Sequence, residues 1–116
     1  MRGLASVESE RAGSWLLLRI RGEIDISNAS DVSEAIDAAV PNGTPMVAVD
    51  LTETTYLDSV GVKLLFLLVE RLRVRRREFR LVVPESAPIR AVLELTGLSQ
   101  LVALEDHLDQ AGPETS

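Results

Sequence analysis

The dipeptide Asp58-Ser59, in which a serine directly follows an aspartate, lies between two apolar runs of different kinds. The run Met46 to Leu51 has the length and near-continuous apolar character of a buried strand. The run Lys63 to Leu72 has the length of a helix. A serine at such a junction presents its hydroxyl to solvent, and the free amides of a helix start favour added negative charge. The residue types and their spacing therefore indicate a site for serine phosphorylation.

Each residue at this junction also has a simpler interpretation. Ser59 could be an ordinary helix-capping residue. Asp58 could be a general base, but a carboxylate that complements the helix dipole is the simpler role, because phosphoryl transfer needs bound ATP and Mg²⁺ and the chain has no P-loop. Lys63, the only lysine, lies four residues after Ser59 and hence on the same helix face. It either meets a phosphate or an acidic partner, or it is a solvated surface lysine.

The predicted helix is apolar on nearly all sides, which is unusual for a helix at a surface. Gly61, Leu64, Leu65, Leu68 and Leu72 form a core stripe, whereas Phe66 and Leu67 fall towards the opposite side. Either another element covers Phe66 and Leu67, or they belong to a surface that binds a partner.

Two carboxylates, Glu23 and Asp25, occupy a predicted loop that also contains Ser27 and Asn28. If this loop folds beside Asp58, it makes the surface around Ser59 more negative. Otherwise its charges serve only solubility. Asn28 or Ser30 is expected to cap the helix that comes next.

Six arginines fall within ten residues, from Arg71 to Arg80. Such a cluster could bind nucleic acid or lipid, but cations are also common at the end of a helix, where they complement its dipole. The net charge of −6 favours the second interpretation and makes nucleic acid an unexpected partner.

Composition excludes several classes of protein. The chain has no cysteine, and His107 stands alone, so we expect neither a disulfide nor a metal site. The longest apolar run, Leu64 to Val69, is far shorter than the about 20 residues of a membrane span, and no signal peptide is visible. These features predict a cytoplasmic protein without a membrane partner. No catalytic set and no cofactor-binding motif is visible, so an enzyme using Asp25 and Asp58 is the weakest hypothesis.

The alternation of apolar patterns predicts a single α/β domain over residues 1–116, with a core at about 4–110 and a flexible tail at 111–116. The predicted sheet is mixed, with four or five strands, and is covered by three main helices, with a short helical turn allowed over Glu105–Gln110. The expected strands are Leu4–Glu10, Trp15–Ile20, Met46–Leu51, Phe79–Val83 and Leu101–Leu104, and Thr52 to Leu57 is expected to form a loop. The expected helices are Ala29–Val40, Ser59–Val74 and Pro88–Leu95.

Four landmarks in this order resemble those of the anti-sigma factor antagonists, which are small single STAS domains. They are Arg21-Gly22-Glu23-Ile24-Asp25, Val49-Asp50-Leu51, Leu57-Asp58-Ser59-Val60-Gly61 and Leu93-Glu94-Leu95-Thr96-Gly97-Leu98. The resemblance covers roughly residues 4–110 and carries more weight than any single landmark.

The resemblance implies a partner switch. The unphosphorylated antagonist binds an anti-sigma factor that is also a serine kinase of the GHKL type, and a sigma factor is released. The kinase then phosphorylates a serine that corresponds to Ser59, the complex dissociates, and a serine phosphatase resets the cycle. The implied partner-binding residues are Glu23, Asp25, Ser27, Asn28, Asp58, Ser59, Val60, Gly61, Lys63 and Leu67.

Two departures from the family pattern stand out. Val60 replaces a second hydroxyl residue after the acceptor, which leaves Ser59 as the only hydroxyl of the motif. The turn Arg75–Glu78 lacks the glycine that is common there, which puts the geometry of that turn in doubt. Some STAS domains are never phosphorylated, so the alternative is a structural subunit of a transporter or of a stress-signalling complex.

Overall fold

The structure is a computed structural model that describes residues 5–108. Leu4 and residues 109–116, including the predicted tail, lie outside the described residues, and the tail stays a prediction. The strands are β1 (Ala5–Ala12), β2 (Trp15–Ile24), β3 (Met46–Asp50), β4 (Thr54–Leu57), β5 (Glu78–Val82) and β6 (Leu104–Glu105). The helices are α1 (Ala29–Ala39), α2 (Ser59–Val74) and α3 (Arg90–Leu95). The predicted α/β domain with a mixed sheet and three helices is confirmed.

The first two strands form an antiparallel hairpin. Ala12 pairs with Trp15, and the pairing continues to Ala5 opposite Gly22. Gly13 in the turn has φ +63°, a conformation that glycine adopts without strain. The other pairings in the sheet are parallel, and the strands lie in the order β1-β2-β3-β5-β6.

All three helices contribute to one apolar cluster with the sheet. Their buried side chains, such as Ile36, Leu68 and Leu93, belong to this cluster together with Leu18 and Val49 of the strands. Trp15 and Leu17 belong to a second, smaller cluster, as expected from the alternation of side chains along β2. The continuous apolar character of β3 agrees with the burial of Val47, Ala48 and Val49, which divide between the two clusters.

The sequence does not predict strand β4, because Thr52 to Leu57 has the composition of a loop. The strand pairs in parallel with the end of β2, where Ile24 lies opposite Leu57. β1 pairs with one edge of β2. On the other edge, β3 pairs with Leu16 to Arg19 of β2, and β4 pairs with the later residues Gly22 to Ile24. The β-branched and aromatic residues of Thr54-Thr55-Tyr56 suit a strand. The pairing lengthens β2 from the predicted end at Ile20 to Ile24 and raises the number of strands to six.

The C-terminal part of the described chain differs from the prediction in detail. Leu98–Gln100 form a 3₁₀ turn, and the last strand is Leu104–Glu105 in place of Leu101–Leu104. Glu105 pairs with Val82 and the next residues form a bend, so the helical turn predicted from Glu105 is wrong as far as Leu108. Gly97 has φ +87°, as expected for a glycine after a helix.

The arginine-rich turn keeps a backbone geometry that suits glycine. Arg76 has φ +58° and is the only described residue other than glycine with a positive φ. Its amide donates to the carbonyl of Arg73, and the amide of Arg77 donates to the carbonyl of Leu72. The turn that closes α2 is therefore formed without the glycine, at the cost of a conformation that L side chains disfavour.

Candidate functional site

Ser59 is the first residue of α2, and its side chain is exposed. Asp58, not Ser59, occupies the capping position and accepts the hydrogen bond from a free amide of the helix. The alternative in which Ser59 caps the helix is therefore wrong. The position leaves the hydroxyl accessible to a second protein.

Asp58 is the residue that caps α2. Its Oδ1 accepts a hydrogen bond from the amide of Gly61 at 2.9 Å, and its Oδ2 accepts one from the amide of Ile26, also at 2.9 Å. Its own amide donates to the carbonyl of Ile24 at 3.3 Å. Asp58 therefore satisfies a free amide of the helix and also joins the helix to the chain after β2.

Gly61 permits this close approach of helix and strand. A Cβ atom at position 61 would lie 2.5 Å from the carbonyl oxygen of Ile24 and 3.1 Å from a methyl group of Leu57. Gly61 is buried, so it does not itself offer exposed surface to a partner, and its role in the structure is to let the start of α2 lie close to the end of β2. The motif Asp58-Ser59-Val60-Gly61 thus contains a cap, an exposed hydroxyl and a packing glycine.

The loop between β2 and α1 lies beside Asp58, because the amide of Ile26 donates to the carboxylate of Asp58. This is the first of the two alternatives that the sequence left open for this loop. Asp25 is 9% exposed, and its Oδ1 accepts hydrogen bonds from the amide of Ser27 at 2.9 Å and from the Ser27 hydroxyl at 2.5 Å. Asn28 donates to the carbonyl of Glu23 at 2.7 Å and accepts from the amide of Asp25 at 3.0 Å. These polar side chains order the loop. Asn28 precedes α1, but its side chain makes no capping hydrogen bond to that helix.

A shallow groove of about 370 Å³ separates the starts of α1 and α2. Val60, Lys63 and Leu67 line it from α2, three of the residues that the sequence singled out. Leu67 is 58% exposed, whereas Phe66 is half-buried against the core. Phe66 is therefore covered by the domain, as the first alternative expects. Leu67 is exposed and available to a partner, as the second alternative expects.

Sequence reasoning missed Ile26, which is 77% exposed and donates its amide to Asp58. Sequence reasoning also did not assign the groove residues Ala29, Ser30, Ser33, Leu64 and Arg71 to a binding surface. It gave Ser30 as a candidate cap, Leu64 as a core residue and Arg71 as part of the arginine cluster. The helical spacing of Val60, Leu64, Leu67 and Arg71 was a signal for the second group. We call the exposed residues Ile26, Ser59, Lys63 and Leu67 the Ser59 surface.

Other kinds of site find no support in the described part of the chain. Among residues 5–108, no group of three or more His, Asp or Glu side chains is arranged to hold a metal ion. Over the same residues, no helix combines the length and the apolar character needed to cross a bilayer.

The chain is similar to known proteins of one family over most of its length. Residues 6–111 match the family model described as STAS domain. The anti-sigma-B factor antagonist of Listeria monocytogenes is 30% identical over 97 residues, which are 84% of each chain. The crystal structure of an anti-sigma factor antagonist from Mycobacterium paratuberculosis is 30% identical and superposes with a TM-score of 0.81, over 94% of this chain and 92% of that one.

A more distant structure shows the fold alone. The Bacillus cell fate determinant SpoIIAA in its phosphorylated form is 20% identical, with a TM-score of 0.62 over 91% of this chain and 96% of that one. The family match, the two relatives at 30% identity and the shared architecture together show that the chain belongs to the STAS domain family and is similar in sequence and structure to anti-sigma factor antagonists.

Proposed function

We propose that the protein is an anti-sigma factor antagonist that acts by binding and not by catalysis. In its unphosphorylated form it binds, in the cytoplasm, an anti-sigma factor that is also a GHKL-type serine kinase, and this releases a sigma factor. Phosphorylation of Ser59 abolishes the binding, and a serine phosphatase restores it. One observation carries the proposal: Ser59 is exposed and directly follows Asp58, which caps α2 and orders the neighbouring loop.

The composition of the Ser59 surface supports a protein partner. Ile26 and Leu67 offer exposed apolar area, and Lys63 offers a cation one helical turn from Ser59. The groove between α1 and α2 adds a concave floor that a side chain of a partner can enter. Asp58, Asp25 and Asn28 act beneath this surface by fixing the loop and the helix start.

The position of Ser59 also supports a mechanism for release. A phosphate adds about −1.5 to −2 charges at pH 7, and at a helix N-terminus this charge is tolerated by the domain. When a partner covers the surface, the same charge must lose its water beside the carboxylate of Asp58. Phosphorylation is therefore expected to act on the interface while leaving the fold intact.

The decisive experiment incubates the protein with each candidate GHKL-type kinase of the same genome and ATP·Mg²⁺. Mass spectrometry then locates the phosphate, and binding is titrated for both forms. We expect phosphate on Ser59, none on the Ser59→Ala variant, and at least ~10-fold weaker binding of the phosphorylated form, about 1.4 kcal/mol. The variants Ser86→Ala and Ser99→Ala, which remove exposed serines outside the Ser59 surface, are matched controls that keep their phosphorylation.

Two results would overturn the proposal. One is phosphate on Ser27 or Ser30 with Ser59 unmodified. The other is that no kinase of this type binds, while the protein co-purifies with a membrane transporter or a large stress complex. The second result favours a structural STAS subunit, in which Ser59 has no switching role.

A further inference from the structure

The outward face of α2 carries exposed apolar side chains well beyond Ser59. Leu67 is 58% exposed and Val74 is 71% exposed. Residues seven positions apart lie on the same face of a helix, so these two side chains point the same way. With 16 residues in α2 and a rise of 1.5 Å per residue, Val74 lies roughly 22 Å from Ser59 along the helix axis. The exposed apolar surface therefore reaches from the Ser59 surface to the far end of the helix.

Two shallow depressions follow this face of α2. The first is the groove of about 370 Å³ between the starts of α1 and α2. The second, of about 460 Å³, is lined by Leu67, Glu70, Arg71, Val74 and Arg75. Leu67 and Arg71 line both depressions, which therefore adjoin. We call the combined depression, which α2 lines from Val60 to Arg75, the α2 groove.

The charged side chains that line the α2 groove are three cations and one carboxylate: Lys63, Arg71, Arg75 and Glu70. Two of these four side chains already have partners. Arg71 pairs with Asp37 at 2.8 Å, and Glu70 pairs with Arg73 at 3.4 Å. The carboxylate of the groove is thus compensated from outside the groove and does not neutralise the remaining cations.

Lys63 and Arg75 form no ion pair within residues 5–108. Both side chains are exposed, and their positions in α2 and at its end place them roughly 18 Å apart along the helix axis. The chain as a whole has a net charge of −6. An acidic protein therefore presents two uncompensated cations along one apolar groove, and a partner that carries carboxylates is complementary to it.

A second copy of this chain fits the groove poorly. In a two-fold symmetric contact, the same surface of each copy meets itself. Such a contact would bring Lys63 and Arg75 of both copies together, which are four cations without compensating carboxylates. Like charges that face each other across an interface are unfavourable. The charges of the groove favour a different, acidic protein.

We propose that the α2 groove binds an acidic amphipathic helix of the anti-sigma factor, an inference that rests on the proposed function and adds a second contact to it. Apolar side chains at i, i+3, i+4 and i+7 of that helix would lie against Leu67 and Val74. Its carboxylates would pair with Lys63 and Arg75, about three helical turns apart. A phosphate on Ser59, one turn before Lys63, would repel the nearer carboxylate, which connects the groove with the switch.

The test uses the purified GHKL-type kinase that binds the parent protein in the incubation described above. The chain has no cysteine, so one introduced cysteine gives a single attachment site for a benzophenone photocrosslinker. Val74→Cys reports on the far end of the α2 groove, Ile26→Cys on the Ser59 surface, and Leu95→Cys on α3, outside both. Mass spectrometry identifies the crosslinked segment of the kinase. Affinity is titrated for Arg75→Glu and for its matched control Arg76→Glu, an exposed cation of the same turn outside the groove.

We expect crosslinks from Ile26→Cys and Val74→Cys and none from Leu95→Cys. The Val74→Cys crosslink should lie on a kinase helix that has carboxylates beside an apolar face. Arg75→Glu should weaken binding at least ~10-fold, and Arg76→Glu by less than ~3-fold. Since crosslinking changes no charge of the groove, it still decides the matter if Arg75→Glu loses its fold.

Several results would overturn this inference while the proposed function stands. A crosslink from Ile26→Cys but not from Val74→Cys would end the interface at the Ser59 surface. A Val74→Cys crosslink to a segment without carboxylates, or equal losses for Arg75→Glu and Arg76→Glu, would remove the acidic helix. A crosslink between two copies without kinase would assign the groove to a second copy. If no kinase binds the parent, the proposed function fails and this inference fails with it.

Discussion

The carboxylate of Asp58 accepts a hydrogen bond from the backbone amide of Ile26 at 2.9 Å, although 32 positions separate the two residues in the chain. The second carboxylate oxygen caps α2 through the amide of Gly61. One side chain therefore sets the position of the exposed Ile26 relative to the exposed Ser59. Asp58 therefore orders the part of the surface that surrounds Ser59.

Replacing Asp58 should weaken both the fold and the Ser59 surface. For Asp58→Ala we expect a loss of about 1–3 kcal/mol in the free energy of unfolding, since a helix cap and a second hydrogen bond disappear together. Urea denaturation measures the loss, and hydrogen exchange at the Ile26 amide should accelerate. Asp31→Ala, which removes an exposed carboxylate from the first turn of α1, is the control and should change stability by less than ~1 kcal/mol. An Asp58→Ala protein as stable as the parent would contradict the role of Asp58 as a cap.

Substitutions of Ser59 should separate binding from stability. Because Asp58 caps the helix, Ser59→Ala, Ser59→Asp and Ser59→Glu should each stay within ~0.5 kcal/mol of the parent in denaturant melts. In binding titrations, the acidic variants should bind the anti-sigma factor at least ~10-fold more weakly. Ser59→Ala should bind normally but resist release by the kinase. If the acidic variants unfold the domain, phosphorylation acts through the fold and not through the interface.

The Gly61→Ala variant should be less stable than the parent, although a change from glycine to alanine within a helix usually raises stability. Within a helix, alanine is favoured over glycine by roughly 1 kcal/mol. Here the new Cβ would lie 2.5 Å from the carbonyl oxygen of Ile24, a backbone atom that cannot rotate away. We expect a net destabilisation of about 1–3 kcal/mol, measured by thermal or urea unfolding. A gain in stability would mean that α2 and the end of β2 separate without cost.

The sequence was sufficient to predict the strands β3 and β5, the helix α2 and the first part of β2, because their apolar character is strong and charged residues, glycine or proline mark the ends of β3, β5 and α2. The end of β2 lies four residues beyond the predicted one. The sequence was not sufficient for β4. The four residues Thr54–Leu57 are too short to show a period, and their strand conformation depends on the edge of β2 that β3 leaves free. Sheet pairing between distant segments decided this element.

The candidate site shows a similar division. The position of Ser59 at a helix start could be predicted from the neighbouring apolar runs. The assignment of the capping role to Asp58 and not to Ser59 could not, because either residue type can cap a helix. The placement of Ile26 beside this helix start depends on the hydrogen bond between its amide and Asp58, a contact that the sequence does not reveal.

Arg76 offers a test of backbone strain. At a φ of +58°, a residue with a Cβ destabilises the folded state by about 1–2 kcal/mol. Glycine adopts this φ without strain but loses more chain entropy on folding, which costs roughly 0.5–1 kcal/mol. We therefore expect Arg76→Gly to stabilise the domain by about 0.5–1 kcal/mol in urea denaturation. Arg76→Ala removes the same charge but keeps the Cβ, so it isolates the backbone effect and should give no gain. Equal stability of the two variants would show that the turn relaxes when the arginine is removed.

Ile26 should contribute to binding without contributing to the fold. Its side chain is 77% exposed, so truncation removes little buried area within the domain. When a partner covers the Ser59 surface, that same side chain is buried with Ser59, and an apolar residue at the centre of an interface can contribute more than about 1 kcal/mol to binding. Ile26→Ala should therefore weaken binding of the anti-sigma factor by at least ~5-fold, about 1 kcal/mol.

The control for this prediction is Leu95→Ala on α3. Leu95 is 87% exposed, so its truncation removes a comparable apolar side chain from a position outside the Ser59 surface. Isothermal titration calorimetry of both variants, together with urea denaturation, separates the two effects. We expect both proteins to stay within ~0.5 kcal/mol of the parent in stability, because surface changes of this kind are nearly neutral. Only Ile26→Ala should lose affinity, because only the position of Ile26 is fixed by Asp58, the residue that precedes Ser59. Equal losses in both variants would assign the interface to a broader apolar surface that includes α3.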